Sequence, residues 1–226
     1  MGREERIFAA YEGVGKLSKL YDGMMTASTC VGKFALKFFW GLSVEEYFKF
    51  LNKALSGVPK NFKGKLLEVP VGTGVFTLPL YEGLTESEIF CVDYSTAMLN
   101  AAQSYANKIS LPNVTFIQGD VGKLSFSDKF FDVVLSVNGL HAFPDKNAAH
   151  KEIFRVLKPN GIFCGSSYVT GQNSHTDFFV KQFCNRVGVF TPPHKNLSSL
   201  ENKLKKIYRR VEISNVKSFA CFKCLK

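Results

Sequence analysis

From Lys65 onward, short apolar runs are set apart by longer stretches, several of helical periodicity, and this restricts the chain to mostly parallel strands with crossover helices between them. The runs lie at 65–69, 88–92, 114–118, 131–137 and 161–168, and helices are expected at 74–83, 95–107 and 145–157. Each helix begins near a Gly, Ser or Pro-Asp signal, and Lys158-Pro159-Asn160-Gly161 reads as a stop and turn. Beyond Gly171 come a helical segment at 174–187, a Thr191-Pro192-Pro193 loop and a basic helix at 197–207. Two last runs, 209–216 and 218–225, lie too close together for a crossover, so if they pair they pair antiparallel. Upstream, 3–20 and 43–56 read as amphipathic helices placed to cap the carboxyl edge of the sheet. The expected fold is α/β: a Rossmann-like, doubly wound, mostly parallel seven-stranded sheet with an antiparallel C-terminal hairpin and N-terminal capping helices. Residues 1–62 are expected to form the helical cap and residues 63–226 the sheet domain.

The stretch Leu66-Leu67-Glu68-Val69-Pro70-Val71-Gly72-Thr73-Gly74 is an apolar strand that ends in an acid and opens into a glycine loop before a helix. In open α/β sheets the crevice beyond the strand ends takes the ligand, and glycines let it approach the backbone and the helix N-terminus. A dinucleotide fingerprint Gly-x-Gly-x-x-Gly needs a glycine at position 77, where Thr77 stands, which disfavours NAD. The next strand ends at Asp93, 19 residues after Gly74, a spacing that suits a carboxylate accepting from ribose hydroxyls. The third leads to Gly119-Asp120. Glu68, Asp93 and Asp120 at successive strand ends suit a ligand with ribose hydroxyls, an amine and a positive centre, and repel phosphates.

These residues resemble the class I S-adenosylmethionine-dependent methyltransferases, over roughly residues 63–225. Glu68 to Gly74 is similar to that family's glycine loop, Val92-Asp93-Tyr94-Ser95 with Met98 to its ribose motif, and Gly119-Asp120-Val121 to its adenine motif. Phe131-Asp132-Val133-Val134 through His141, then Leu157 to Gly161, complete the order; Pro70 departs from it, standing where the first glycine is usual. The resemblance implies S-adenosylmethionine as cofactor. Gly72 and Gly74 would pack on its methionine part, Glu68 order its amino group, Asp93 bind its ribose and Asp120 receive the adenine amine. Thr73, Tyr94, Met98, Val121 and Asn138 fall in the same motifs and are expected to contact it. Pro70 has no N–H to give, so its part is apolar contact or turn shape. Upstream, Lys19-Leu20-Tyr21-Asp22 is similar to a segment of the quinone-biosynthesis methyltransferases that closes over the cofactor, and Tyr21 would offer an aromatic face to the sulfonium. His141, after the fourth strand, is the candidate base by position. A small-molecule acceptor methylated on oxygen or carbon is expected, and nucleic-acid amine methylation is disfavoured because Asn138-Gly139-Leu140-His141 lacks the Pro-Pro-aromatic tetrad of the enzymes that methylate base amines.

Charge supplies the alternative. The chain carries a formal +10, and residues 171–226 hold 11 basic against 3 acidic side chains, with Lys203, Lys205, Lys206, Arg209 and Arg210 clustered. A nucleic-acid-modifying or nucleic-acid-binding protein would use that quarter on phosphates; a solvated helix face is the plainer account. The N-terminus reads as no export signal, and no apolar window reaches the roughly 20 residues that span a bilayer, so a soluble cytoplasmic protein is expected. The six cysteines read as reduced core thiols, and Cys221-Phe222-Lys223-Cys224 lacks a second ligand pair, so no metal is expected. The Phe-rich pieces 34–50 and 178–190 read as core, with part available to line an apolar pocket.

Overall fold

The computed structural model describes residues 9–13, 22–23 and 26–226. The apolar runs are strands β1 (Gly64–Glu68), β2 (Ser87–Asp93), β3 (Val114–Gln118), β4 (Phe131–Ser136), β5 (Leu157–Tyr168), β6 (Arg210–Val216) and β7 (Phe219–Leu225). They form one sheet in the order β3-β2-β1-β4-β5-β7-β6, parallel up to β5 and antiparallel for β7 and β6. β1 lies between β2 and β4, so the strand order reverses there, and the carboxyl ends flanking that switch point open a crevice.

Period-two alternation places the core on both faces. On β1, Leu67 belongs to a cluster with Val134, Ile153, Phe163 and Leu204, while Leu66 belongs to the opposite one with Leu78, Ile89 and Ala102. Helices α1 (Cys30–Trp40) and α2 (Val44–Leu55) precede the sheet. A capping box sets the start of α2: Ser43 accepts from the Glu46 N–H while Glu46 accepts from the Ser43 N–H. With α1, its buried side chains Leu36, Tyr47 and Phe50 share a core with Val216, Phe219 and Cys221 of the hairpin. The helix expected at 43–56 therefore covers the face of the β7–β6 end and not the carboxyl edge; of the one expected at 3–20 only residues 9–13 are described, and there Tyr11 and Glu12, with Asp22, do lie over the carboxyl edge.

Several expected boundaries move. The helix expected at 74–83 shrinks to α3 (Leu78–Tyr81), because Gly74 is left-handed at φ +73° and the intervening residues turn along the crevice. α4 (Thr96–Lys108) and α5 (Lys146–Val156) fall within a residue of expectation. β5 starts at Leu157, not at 161; Lys158 to Gly161 forms a bulge inside it, with Asn160 at φ +60° and a register shift opposite Phe131–Val133. The segment 174–187 splits into α6 (Ser174–Phe179), a π-helical turn (Val180–Cys184) and a last turn (Asn185–Val187). α7 (Leu197–Ile207) matches its expected bounds. Cys221 and Cys224, three apart on β7, project to opposite faces, Cys221 into the α1–α2 core and Cys224 among Phe163 and Phe222, so they do not form a half-site. The Phe-rich pieces are only partly core: Phe50 is buried, whereas Phe34, Phe38, Phe48, Phe178 and Phe183 are exposed.

Candidate functional site

Four segments converge at the switch point. The loop after β1 is pinned on both sides, Val69 N–H donating to Leu135 O on β4 and Val71 N–H to Val92 O on β2. The cavity above it is lined by residues 69–76 of this loop, 93–95 and Met98 after β2, 119–121 after β3, and Val137, Asn138 and 142–144 after β4, with Tyr11 from upstream. Gly72 is left-handed at φ +58° and a Cβ there would meet nothing within 4 Å, so backbone conformation calls for the glycine and the space over it stays open. Gly74 is constrained differently: a Cβ would come within 2.4 Å of Leu78. Pro70 lines the cavity wall and its ring packs against Gly139, where a Cβ would approach Pro70 Cδ to 2.3 Å.

Asp93 is the central group. It is buried, and its two oxygens accept from two backbone donors, Oδ2 from Gly72 N–H at 2.8 Å and Oδ1 from Ser95 N–H at 3.0 Å. Burial pushes its carboxyl up to about 6; the backbone donors hold it down in part, and the neighbouring Glu12 adds to the rise. It is therefore mostly ionised at neutral pH. Asp120 lies across the cavity and accepts from Gly122 N–H at 2.7 Å. Asn138, left-handed at φ +55°, is fixed by Ser166, whose hydroxyl donates to its side-chain oxygen at 3.0 Å. Tyr94, Met98, Val121 and Thr73 all line the cavity.

Two expected groups are placed elsewhere. Glu68 lies under the loop, wholly buried, and is not among the lining residues. Its Oε2 accepts from the Tyr81 hydroxyl at 2.7 Å, and burial pushes its carboxyl up to about 8, so at neutral pH it is mostly protonated. His141 follows β4 as expected, but its side chain turns into the interior: Nδ1 accepts from Tyr168 N–H at 2.9 Å and the ring packs on Phe190 at 4.0 Å. Burial, with His194 and Lys146 alongside, holds it well below the ordinary histidine range. With its Nδ1 lone pair engaged and its side chain outside the cavity lining, His141 does not face this cavity as a base would. Tyr21 lies outside the described residues.

Three contributors were not legible beforehand. Asp22 accepts from the Thr73 hydroxyl at 2.6 Å and is half-buried over the loop, burial raising its carboxyl. Glu12 accepts from the Ser95 hydroxyl at 2.8 Å and Ala97 N–H at 3.0 Å, adding a carboxylate to the first turn of α4. Tyr11 donates to Val189 O at 2.7 Å and borders the cavity. The signals for them were coarse: the helix expected at 3–20 over the carboxyl edge, which holds Tyr11 and Glu12, and the short Tyr21-Asp22 match. In the basic cluster Lys205 pairs with Glu201 at 2.6 Å and Arg210 with Glu212 at 2.9 Å, both largely exposed, and Lys203 donates to Asn147 at 2.8 Å.

The donor set can be tested against an adenosyl ligand. A buried ionised carboxylate lining the cavity suits ribose hydroxyls, Asp120 with apolar Val121 and Met98 suits the edge and face of a purine, and the open space over Gly72 admits a group against the backbone. The residues fit. The profile of the methyltransferase domain family matches residues 61–211. The chain is 29% identical over 160 residues to the demethylmenaquinone methyltransferase of Geobacillus sp. strain WCH70, covering 70% of this chain and 61% of that protein. It is 38% identical over 97 residues to the enzyme of the same name from Lactococcus lactis, covering 42% of this chain and 38% of that protein. The match thus spans less than two thirds of the length of these relatives. A solved S-adenosylmethionine-dependent methyltransferase from Thermotoga maritima, described as a possible histamine N-methyltransferase, superposes with a TM-score of 0.68 at 15% identity, over 97% of this chain and 99% of that one. At that identity the likeness is one of fold.

Proposed function

The chain belongs to the methyltransferase domain family, of the class I S-adenosylmethionine-dependent kind, and from that premise we propose that it transfers a methyl group from S-adenosylmethionine to a small electron-rich ring of the quinol type. The observation that carries the cofactor reading is the Asp93 carboxylate, buried at the switch point, held by Gly72 and Ser95 N–H groups and lining the cavity. The names of the Geobacillus and Lactococcus relatives support the acceptor class.

The cofactor supplies an electrophilic methyl group, so the chain's work is alignment and exclusion of water. Asp93 would hold the ribose hydroxyls and Asp120 the adenine amine. Glu68, protonated and bonded to Tyr81, keeps the loop floor from carrying a second buried charge beside Asp93. Pro70 against Gly139 sets the spacing between the loops after β1 and β4. Thr73 and Asp22 tie the upstream segment down over the glycine loop. Among the described lining residues the titratable groups are carboxyls and phenols, Asp93, Asp120, Tyr11 and Tyr94, with no imidazole or amine. An acceptor carrying its own acidic hydroxyl, as a quinol does, matches such a wall.

Incubation of the full chain with methyl-labelled S-adenosylmethionine and a short-chain demethylated naphthoquinol tests the reading. Label in the quinol, with one S-adenosylhomocysteine formed per methyl transferred, is the expected result. Cofactor binding without label in the quinol would refute the acceptor class, and absence of cofactor binding would refute the whole reading.

A further inference from the structure

Among the described residues, aromatic surface is exposed on two packed helices outside the cavity. On α1, Phe34 and Phe38 are 64% and 50% exposed and stacked on each other at 5.4 Å, with Val31, 64% exposed, on the same face. On the helix that continues α6, Phe178 and Phe183 are 64% and 54% exposed. Ring contacts join the two helices into one tract: Phe38 to Phe39 at 5.1 Å, Phe39 to Phe179 at 4.5 Å, Phe179 to Phe183 at 5.4 Å. A contiguous exposed apolar tract marks a surface with a partner.

Its charge border has one sign. Lys33 and Lys37 are exposed a helical turn apart on α1, and Lys181 and Arg186 are exposed on the second helix. No Asp or Glu occurs in residues 23–44 or 178–200. The acid just before the second stretch, Asp177, is occupied by the Tyr168 hydroxyl and Gly171 N–H, both at 2.7 Å. Protein interfaces favour Tyr, Trp, Phe, Met and Arg and are poor in Lys; phenylalanines suit either kind of partner, and it is the border of three lysines to one arginine that favours lipid over protein. Phenylalanine flanked by lysine is the make-up of helices that lie in the plane of an anionic bilayer, rings among the acyl chains and amines at the headgroups. α1 has 11 residues, about 16 Å at 1.5 Å each, which is too short to span and sufficient to lie flat. Among the described residues no helix is long and apolar enough to cross a membrane.

We propose that this two-helix aromatic face, bordered by Lys33, Lys37, Lys181 and Arg186, docks the protein reversibly on an anionic lipid surface. The inference rests on the surface alone and not on the identity of the methyl acceptor.

Co-sedimentation of the full chain with vesicles of phosphatidylcholine, with and without phosphatidylglycerol, tests it in the absence of cofactor and acceptor, so its outcome is independent of the methyltransferase reading. Binding at least about tenfold tighter to the phosphatidylglycerol vesicles is expected, weakening with added salt. Phe34→Ser/Phe38→Ser should lower binding at least about tenfold at every salt concentration, and Lys33→Gln/Lys37→Gln by about tenfold at low salt only. Because the four side chains are exposed, both variants should keep the circular dichroism and S-adenosylhomocysteine affinity of the wild type. Failure of the wild type to bind either vesicle at low salt, or equal binding by the phenylalanine variant, overturns the proposal. So does a concentration-dependent dimer, without vesicle binding, that Phe34→Ser/Phe38→Ser dissociates; the face would then belong to a second copy of the chain.

Discussion

At the β1–β4 switch point the sheet buries carboxyls, Glu68 and Asp93, while at its β5–β7–β6 end it buries rings and thiols, Phe163, Phe222, Cys221 and Cys224. Both regions are buried, yet they do different work. The second gains from every apolar area it removes from water. The first pays for desolvating acids that face no cation in the described structure, as the upward displacement of both carboxyls records. A region that gives up stability in this way is suited to recognition, and its neighbour supplies the stability.

The sharpest way to break this division is to cut the apolar end and watch the site. Phe163, fully buried against Tyr208 and Phe222, should cost about 3–5 kcal/mol when truncated to Ala, measured by urea denaturation. S-adenosylhomocysteine affinity of the folded fraction should stay at the wild-type value; a matching loss of affinity would merge the two regions.

Next in size is a pH effect confined to the switch point. The folded Glu68 carboxyl titrates near 8 against a usual 4.5, so the folded chain holds this proton more tightly than the unfolded one. The resulting stability is complete below about pH 4.5 and is lost as pH rises toward 8, by on the order of 4 kcal/mol. Glu68→Gln, which still accepts from Tyr81, should flatten the stability curve between about pH 6 and 8, the range above the Asp93 titration. Equal slopes for variant and wild type in chemical denaturation would remove Glu68 as the cause.

Asp93→Asn sets an amide NH2 against the N–H of Gly72 or of Ser95 in either orientation, and should weaken S-adenosylhomocysteine binding by about 2–3 kcal/mol in calorimetry. Its melting temperature without ligand should fall modestly, because relief of the buried charge only partly offsets the backbone donor left unpaired. Thr73→Val is the smallest test: loss of the hydroxyl bond to half-buried Asp22 should cost about 1 kcal/mol of stability.

The same contrast explains what could be read from the chain beforehand. The seven strands were legible because each apolar run is short and bounded by turn residues, and the hairpin because two runs sat too close for a crossover. Gly72, Gly74, Asp93 and Asp120 were legible because a switch-point site is built from consecutive strand ends, which keep their order in the chain. Asp22 and Glu12 were not, since they reach the site only by tertiary contact, 51 residues from Thr73 and 83 from Ser95. The position of His141 was readable, but the turn of its ring toward Tyr168 depends on side-chain packing that no spacing encodes. The helix α1 was missed because its Phe residues read as core, whereas its outward face carries Phe34 and Phe38.

Thermal unfolding with S-adenosylhomocysteine, NAD or no ligand, run in parallel on the wild type and Asp93→Asn, tests the central claim most directly. At about 100 times its dissociation constant a ligand of the folded state adds about 2.7 kcal/mol, which for a chain of this length is a rise of roughly 5–10 °C. The account predicts that rise for wild type with S-adenosylhomocysteine alone and its loss in Asp93→Asn at the same concentration. A rise with NAD, or an undiminished rise in the variant, would contradict it.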